Sequence, residues 1–189
     1  MNRITQLDPE QATGKVSELF GGVKRKLGAV PNLFRVLGTA PAALQGYIDF
    51  GGALAGGSLD AKVREQIALA VAESNLCGYC LSAHSFLAGK VGLRADEIGD
   101  ARRAMAAAER TDAILKLARG IVLKRGDITD ADFAKARQAG LTDGEIVETV
   151  ANVALNIFTN YVNHVAHTVV DFPEVAPGVE VGMARARRA

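Results

Sequence analysis

The chemically reactive residues of this sequence are concentrated in one segment, EQIALAVAESNLCGYCLSAH, from Glu65 to His84. The segment holds both cysteines of the 189-residue chain and one of its three histidines. On a helix, Cys77, Cys80 and His84 stand at positions i, i+3 and i+7 and therefore share one face. The spacing predicts that two thiols and an imidazole meet, which is a set of reactive groups rather than a packing pattern.

Different features of the sequence favour each of the two thiols as the nucleophile. A thiol becomes a nucleophile by losing its proton, and the free N–H groups and dipole at a helix N-terminus favour a negative sulfur, which favours Cys77. His84 lies one turn beyond Cys80 and can accept its proton, which favours Cys80 instead. A thiolate that attacks a peroxide O–O bond gives a sulfenic acid, and a neighbouring thiol condenses this acid to a disulfide. Either order suits the Cys-x-x-Cys spacing.

Three further residues are candidates for supporting roles. Glu65 could orient the His84 imidazole if the chain folds back between the two. Tyr79 lies between the thiols and is either a proton donor or a packed ring. His164 is a possible auxiliary group, although His164 and His167 on a later helix are more typical of core polar residues or interface contacts.

Two other interpretations use the same residues. Cys77, Cys80 and His84 could bind zinc, with His164 or His167 as a fourth ligand. Structural zinc sites usually take their ligands from knuckles or loops in two separated pairs, and a helical chain of this length does not need a metal to hold its core. We therefore expect no metal and no cofactor. In the second interpretation, the cysteines are inert small apolar residues.

Composition restricts the class of protein. Hydrophobic residues make up 49% of the chain and aromatic residues only 5%, which is typical of a helical protein rich in Ala, Leu and Val. The net charge is +1, and no basic stripe occurs outside Arg185, Arg187 and Arg188, so we expect no nucleic-acid partner. The sequence shows neither the apolar core of a signal peptide nor a run of about 18 apolar residues, which predicts a cytoplasmic protein with no membrane partner. Thiols in that compartment are normally reduced, so the pair is more typical of redox or metal chemistry than of a structural disulfide.

The elements that position these residues are all predicted to be helices. Apolar residues recur at helical period and no run alternates like a strand, so the fold class is all-α. We expect one domain over residues 1–189, with a helical arm at 1–30 and a flexible tail at 176–189. The predicted helices are Asp8–Leu27, Pro31–Leu37, Pro41–Leu54, a helix from Leu59-Asp60 to Ser74-Asn75, Leu76–Ala88, Arg94–Ala107, Arg110–Lys124, Thr129–Gln138 and Glu145–Val169.

Two capping patterns fix the helices that matter most for the reactive segment. Asn75 is predicted to cap the helix that begins at Leu76, which would place the Cys-x-x-Cys in its first turns. Thr142 and Glu145 fit a capping box at the start of the long C-terminal helix.

The pattern Glu65-x11-Cys77-x2-Cys80-x3-His84 resembles the AhpD-like alkylhydroperoxidases of the carboxymuconolactone decarboxylase superfamily. The resemblance extends upstream to VPNLFRVLGTAPAALQGY and downstream to NIFTNYVNHVAHTVVDFP, and so covers most of the chain. These segments are similar to the branch of peroxidase-related proteins. The resemblance implies an all-helical AhpD-like domain that assembles as a homo-oligomer: a dimer, a trimer or a hexamer.

The resemblance also assigns roles. It implies that Cys80 is the peroxidatic thiol, that Cys77 resolves it, and that Glu65 and His84 form the proton relay. It further implies a hydroperoxide substrate and an external dithiol reductant such as a lipoylated protein. The best-known AhpD proteins have a histidine immediately before the second cysteine. Tyr79 occupies that position here, so the relay is shortened or rebuilt around a phenol.

The leading hypothesis is therefore a thiol-dependent hydroperoxide reductase. The decarboxylase branch does not depend on a thiol pair, so that activity is not expected. The alternative hypothesis is a helical oligomeric interaction protein whose redox pair switches its assembly, with negligible peroxide turnover. An apolar lining for an organic substrate is predicted from a set of five residues: Leu33, Phe34, Phe50, Phe86 and Phe158.

Overall fold

The computed structural model describes residues 2–178 of the chain. These residues form helices and loops, and no strand occurs among them, so the all-α prediction is confirmed. The helices are α1 (Gly14–Leu27), α2 (Asn32–Leu37), α3 (Pro41–Ala55), α4 (Ala61–Ser74), α5 (Gly78–Lys90), α6 (Ala95–Arg102), α7 (Glu109–Lys124), α8 (Asp130–Gln138) and α9 (Asp143–Ala166). No helix of the described part is long and apolar enough to cross a membrane. Arg185, Arg187 and Arg188, with most of the expected tail, lie outside the described residues.

Helix α4 is the centre of the fold. Asp60 caps it by accepting a hydrogen bond from the Val63 N–H at 2.9 Å. Every residue from 66 to 73 is buried, because α5, α6, α7 and α9 pack around this helix. A helix that is surrounded on all sides is apolar on all sides, and the sequence QIALAVAE fits that position except at its two ends.

The link from α4 to α5 differs from the sequence prediction. Asn75 is the C-cap of α4 and not the N-cap of α5, and α5 begins at Gly78 rather than at Leu76. Leu76 adopts a left-handed conformation with φ of 56°, its N–H donates to Glu73 O, and the Cys77 N–H donates to Ala72 O. These are the bonds of a Schellman motif, in which a residue past the helix end must turn left-handed. Cys77 thus completes the end of α4 and is also the N-cap of α5.

Three other boundaries were predicted wrongly. The first helix begins at Gly14 and not at Asp8, because Asp8 forms a local turn in which its side chain accepts the Glu10 N–H. Helix α6 ends at Arg102, where Ala104 turns left-handed with φ of 57°. Helix α9 ends at Ala166, where His167 does the same with φ of 51°. The remaining predicted helices agree with the structure to within about two residues at each end.

Helix α1 is packed onto the rest of the fold. It buries Leu19, Phe20 and Val23 in the common core. The Phe20 ring lies against the backbone of Gly38, where an added Cβ would come within 2.5 Å of Phe20 Cζ. Glycine at position 38 therefore lets α1 approach the end of α2.

Helix α9 combines a confirmed cap with an unusual buried face. The capping box forms as predicted, since Thr142 Oγ1 accepts the Glu145 N–H at 3.3 Å and Glu145 accepts the Thr142 N–H at 2.9 Å. The face of α9 that points into the protein is largely polar, and beyond the capping Glu145 its buried polar side chains are Thr149, Asn152, Asn156, Thr159, Asn160 and Asn163. This polar face lies opposite the cysteines.

Candidate active site

A cavity of about 580 Å³ lies beside the reactive segment. Its walls come from α1, α2, α3, α4, α5 and α9, and from the loop that follows α9. Of the predicted site residues, Glu65, Tyr79, Cys80 and His84 line this cavity, whereas Cys77 does not. The structure therefore exposes one sulfur to the cavity and keeps the other behind it.

The predicted apolar lining is correct in part. Leu33, Phe34 and Phe86 line the cavity. Phe50 and Phe158 are not among its lining residues, and both are partly exposed on the outside of the protein.

Cys80 is in an environment that favours the thiolate. It occupies the third position of α5, and only 2% of its surface is exposed. The hydrogen bond from the Cys77 thiol has the largest effect on the pKa of Cys80. This hydrogen bond lowers the pKa, whereas burial raises it. The charge of His84 and the Asn163 amide, whose Nδ2 donates to Cys80 Sγ at 3.3 Å, lower the pKa further, and the result is a pKa of about 6.

Cys77 is in the opposite situation. It is 1% exposed, and its Sγ lies 3.9 Å from the Asn160 backbone carbonyl oxygen. The hydrogen bond to Cys80 and burial both raise the pKa of Cys77. The pair is therefore asymmetric, with a protonated Cys77 beside a thiolate at Cys80.

His84 and Glu65 form a bonded pair at the edge of the cavity. Glu65 lies on α4 and His84 on α5, and the Schellman turn between the helices brings His84 Nδ1 to 2.8 Å from Glu65 Oε2. Burial alone would lower the pKa of His84, but the charge and hydrogen bond of Glu65 and the charge of Cys80 together raise it above 6.5. The bond to Nδ1 leaves Nε2 as the nitrogen available for other contacts.

The Tyr79 hydroxyl is fully occupied by protein partners. It accepts the Leu33 N–H at 3.0 Å and donates to Asp171 Oδ1 at 2.8 Å. Burial raises the pKa of Tyr79, and the charge of Asp171 adds to this effect. The phenol thus joins α5 to the start of α2 and to the loop after α9.

His164 is placed away from the cavity. Its Nε2 lies 3.0 Å from the Asn75 carbonyl oxygen, on the exposed side of α9. Among residues 2–178, no three His, Cys, Asp or Glu side chains are arranged as ligands for a metal ion.

Two asparagines of α9 belong to the site and were not assigned to it from the sequence. Asn163 donates to Cys80, and the Asn160 amide also lowers the pKa of that thiol. Asn160 Oδ1 accepts a hydrogen bond from Asn75 Nδ2 at 2.9 Å, so the Asn160 Nδ2 points away from Asn75. This Nδ2 is buried and has no hydrogen-bond partner among the described residues. A charge on sulfur supplies such a partner. The signal in the sequence is the spacing of asparagines at 152, 156, 160 and 163 along one face of an otherwise apolar helix.

Part of the chain is similar in sequence to known proteins. Residues 41–122, which contain α3, α4 and α5 with both cysteines, match the sequence model of the Carboxymuconolactone decarboxylase family. This stretch is less than half of the 189-residue chain, and it is similar to that family. The chain is also similar to an uncharacterised protein of Haemophilus influenzae, with 45% identity over 69 residues. That match covers 35% of this chain and 61% of the relative, so the chain spans less than two thirds of the relative's length.

Solved structures show the same fold. The AhpD core of an uncharacterised peroxidase-related protein from Ralstonia eutropha JMP134 has a TM-score of 0.78 and 24% identity, over 90% of this chain and 92% of that chain. An uncharacterised peroxidase-related protein from Silicibacter sp. TM1040 has a TM-score of 0.76 and 23% identity, over 88% and 92%. The debrominase Bmp8, solved with 2,3,4-tribromopyrrole, has a TM-score of 0.77 and 17% identity, over 89% and 91%. The AhpD-like fold is therefore shared with proteins whose names indicate different chemistry.

Proposed function

We propose that this protein is a thiol-dependent hydroperoxide reductase in which Cys80 attacks the peroxide and Cys77 resolves the product. The observation that supports this most strongly is the asymmetry of the thiol pair: the cysteine that lines the cavity has a pKa lowered to about 6, and the hidden one stays protonated. The roles implied by the family resemblance match this arrangement.

The first step is nucleophilic attack on the O–O bond. An electron pair of the Cys80 thiolate forms an S–O bond to one peroxide oxygen, and the O–O bond breaks with its electron pair leaving on the other oxygen. The leaving alkoxide takes a proton from the His84 imidazolium, so the products are a sulfenic acid at Cys80 and an alcohol. Glu65 holds the ring through Nδ1 and stabilises its positive charge.

The second step forms a disulfide. The Cys77 sulfur attacks the sulfenic sulfur, and hydroxide leaves and takes up the Cys77 proton, so that one water molecule is released. A dithiol reductant then supplies two electrons and two protons, which returns both cysteines to the reduced state. The reductant is an external dithiol, as the resemblance implies.

We also propose that the protein forms a homo-oligomer through the outer face of α9. Exposed apolar residues follow one another at helical spacing along this face, and we call them the α9 stripe: Val147, Val150, Phe158, Tyr161 and Val165. Val147, Tyr161 and Val165 are each more than half exposed, at 65%, 58% and 62%. A continuous apolar stripe of this kind is typical of a helix that packs on a partner.

The oligomer proposal is tested by placing a charge in the stripe. Val165→Glu is expected to shift the sedimentation coefficient toward a smaller species. Leu123→Glu, which changes an exposed apolar residue on α7, is the control and should leave it unchanged. Equal sedimentation of both variants and the parent protein would rule out the α9 stripe as the interface.

The enzyme proposal is tested with the two cysteines separately. Cys80→Ser is expected to abolish peroxide consumption with a dithiol reductant, by on the order of 10³-fold or more, because the nucleophile is lost. Cys77→Ser is expected to keep the first reaction with peroxide, seen as a sulfenic acid trapped by dimedone, and to lose disulfide formation. Unchanged consumption in Cys80→Ser would refute the proposal. A change of oligomeric state on oxidation without peroxide turnover would favour the redox-switched interaction protein.

A further inference from the structure

One face of helix α3 is built at the expense of helix stability. Gly51 and Gly52 lie inside α3, where each glycine costs roughly 1 kcal/mol relative to alanine. Both line the cavity. A Cβ added at Gly52 would meet no atom within 4 Å, and one added at Gly51 would meet only Leu155 Cδ2, at an ordinary contact distance of 3.7 Å. Neither glycine is therefore required for a close approach of another part of the protein. The lack of side chains at these two positions instead leaves open space beside α3.

Tyr47 lies one turn before Gly51 on the same face and also lines the cavity. Its ring packs against Phe34 and Phe158, with ring centroids 5.6 and 6.3 Å away. Its hydroxyl makes no hydrogen bond to any residue of the described chain, whereas the Tyr79 hydroxyl has two partners. Burial raises the pKa of Tyr47, with the charges of Cys80 and Glu65 adding to the effect, so the phenol keeps its proton and can donate a hydrogen bond.

We propose that Tyr47, Gly51 and Gly52 of α3 form the wall that determines the size of hydroperoxide the site accepts, with Tyr47 as a hydrogen-bond donor to the oxygen that leaves. The proposal rests on the proposed function of the thiol pair. A cavity of about 580 Å³ falls within the range of roughly 300–1,000 Å³ that encloses small organic ligands, and it is far larger than hydrogen peroxide needs. Its other wall residues on this side, such as Phe34, Ile48 and Leu155, are apolar.

In this arrangement the organic group lies in the space next to Gly51 and Gly52, and the peroxide reaches toward Cys80. The Tyr47 O–H donates a hydrogen bond to the oxygen that leaves when the O–O bond breaks. That bond strengthens as negative charge develops on the leaving oxygen, so it stabilises the transition state more than the bound substrate. The proton itself still comes from His84, and Tyr47 remains protonated throughout.

The space left by the glycines is tested by filling it. Gly51→Leu is expected to lower kcat/KM for cumene hydroperoxide at least about 10-fold while leaving that for hydrogen peroxide within about threefold. Gly51→Ala should show the same selectivity change to a smaller extent, with higher thermal stability. Gly46→Leu is the matched control, because Gly46 is in α3, has open space around it and does not line the cavity. Equal losses for both peroxides in Gly51→Leu, or the same selectivity change in Gly46→Leu, would overturn the proposal.

The hydrogen bond is tested by removing one hydroxyl at a time. Tyr47→Phe is expected to lower kcat by about 10- to 100-fold for cumene hydroperoxide with little change in KM, because the bond is made mainly in the transition state. Ser17→Ala removes an exposed hydroxyl from α1, away from the cavity, and should change kcat by less than about twofold. An unchanged kcat in Tyr47→Phe would show that the phenol does not touch the leaving oxygen.

A binding measurement separates this proposal from the enzymatic one. Cumyl alcohol, the product of cumene hydroperoxide, is expected to bind the reduced protein in isothermal titration calorimetry, and Gly51→Leu should weaken that binding about 10-fold or more. Binding without any peroxide turnover would refute the reductase and retain the α3 face as an apolar ligand site. Turnover of cumene hydroperoxide with no effect of Gly51→Leu on turnover or binding would retain the reductase and refute the role of α3.

Discussion

The two sides of the cavity are constructed in opposite ways. On the thiol wall, formed by Cys80, His84 and Glu65, the polar groups have partners on other helices: His84 of α5 bonds to Glu65 of α4, and the Cys80 sulfur accepts from Asn163 of α9, behind the wall. On the α3 wall, formed by Tyr47, Gly51 and Gly52, side chains are either absent or without a hydrogen bond among the described residues. The charged groups are thus fixed before substrate arrives, while the opposite wall offers an unused donor and empty space.

The two walls are expected to control different properties of the reaction: the thiol wall its rate, and the α3 wall its selectivity among peroxides. Electrostatic groups accelerate a reaction when they are already oriented, because no energy is then spent on reorganising them. A wall of glycines and aromatic rings has no charge to orient and acts through shape. Changes in the thiol wall should therefore alter the reaction with every peroxide, and changes in the α3 wall should alter the ranking of peroxides.

The largest effect is expected from the imidazole. His84→Gln removes both the positive charge that lowers the pKa of Cys80 and the proton donor for the leaving oxygen, so kcat/KM should fall by on the order of 10²–10³ for all peroxides. His164→Gln on the exposed side of α9 is the comparison, with an expected change of less than about twofold. A comparable loss in both variants would mean that the reaction is not confined to the thiol wall.

The pH dependence should show two limbs that both belong to the thiol wall. The pKa of Cys80 is lowered to about 6, so acidification protonates the thiolate, and the rate at pH 5 should be about a tenth of its plateau. The pKa of His84 is raised above 6.5, so the rate falls on the alkaline side as the imidazolium is lost. Stopped-flow measurement of the first turnover with varying pH tests this. Tyr47→Phe should lower the curve without moving either limb, and a flat profile between pH 5 and 7 would contradict the assignment.

A smaller effect is expected from the amide that donates to sulfur. Asn163→Leu keeps the side-chain size and removes the hydrogen bond to Cys80, which should raise the pKa of that thiol by about one unit. The rate at pH 6 should then fall about fivefold and recover near pH 8. Titration of the thiolate by its ultraviolet absorbance measures the pKa directly, and a loss of rate that persists at pH 8 would indicate a structural effect instead.

The smallest effect concerns stability on the α3 wall. Gly52→Ala adds a methyl group where no atom lies within 4 Å and improves helix propensity, so the free energy of unfolding should rise by about 0.5–1 kcal/mol. Thermal unfolding should show a midpoint higher by a few degrees. A destabilised Gly52→Ala variant would mean that the glycine is needed for the backbone and not for the space beside it.

The sequence was a good guide to elements and a poorer guide to their ends. Helix periods and the Thr142 capping box depend on local residue types, and these predictions agree with the structure. The misplaced boundaries at Leu76, Ala104 and His167 share one cause. Each of these residues adopts the left-handed conformation after a helix, which glycine usually adopts. Leucine, alanine and histidine rarely do so, and the sequence therefore did not predict these helix ends.

The site followed the same rule. The spacing of Glu65, Cys77, Cys80 and His84 was enough to predict which groups lie near one another on α4 and α5. Contacts from distant segments were not predictable, because no periodicity links α5 to Asn163 or α3 to the thiols. The occupied state of Tyr79, whose partners lie 46 and 92 residues away, could also not be read from its position between the cysteines.

The burial of both sulfur atoms has a consequence for how the protein exchanges electrons with its surroundings. Cys77 and Cys80 are 1% and 2% exposed, and only Cys80 borders the cavity. A cysteine fixed on the surface of another folded protein cannot reach these sulfur atoms, because the cavity is too small to admit that protein. Under the proposed function, a small or flexibly tethered dithiol is therefore expected to reduce the pair better than a thiol fixed on a folded surface, and to form its first bond to Cys80.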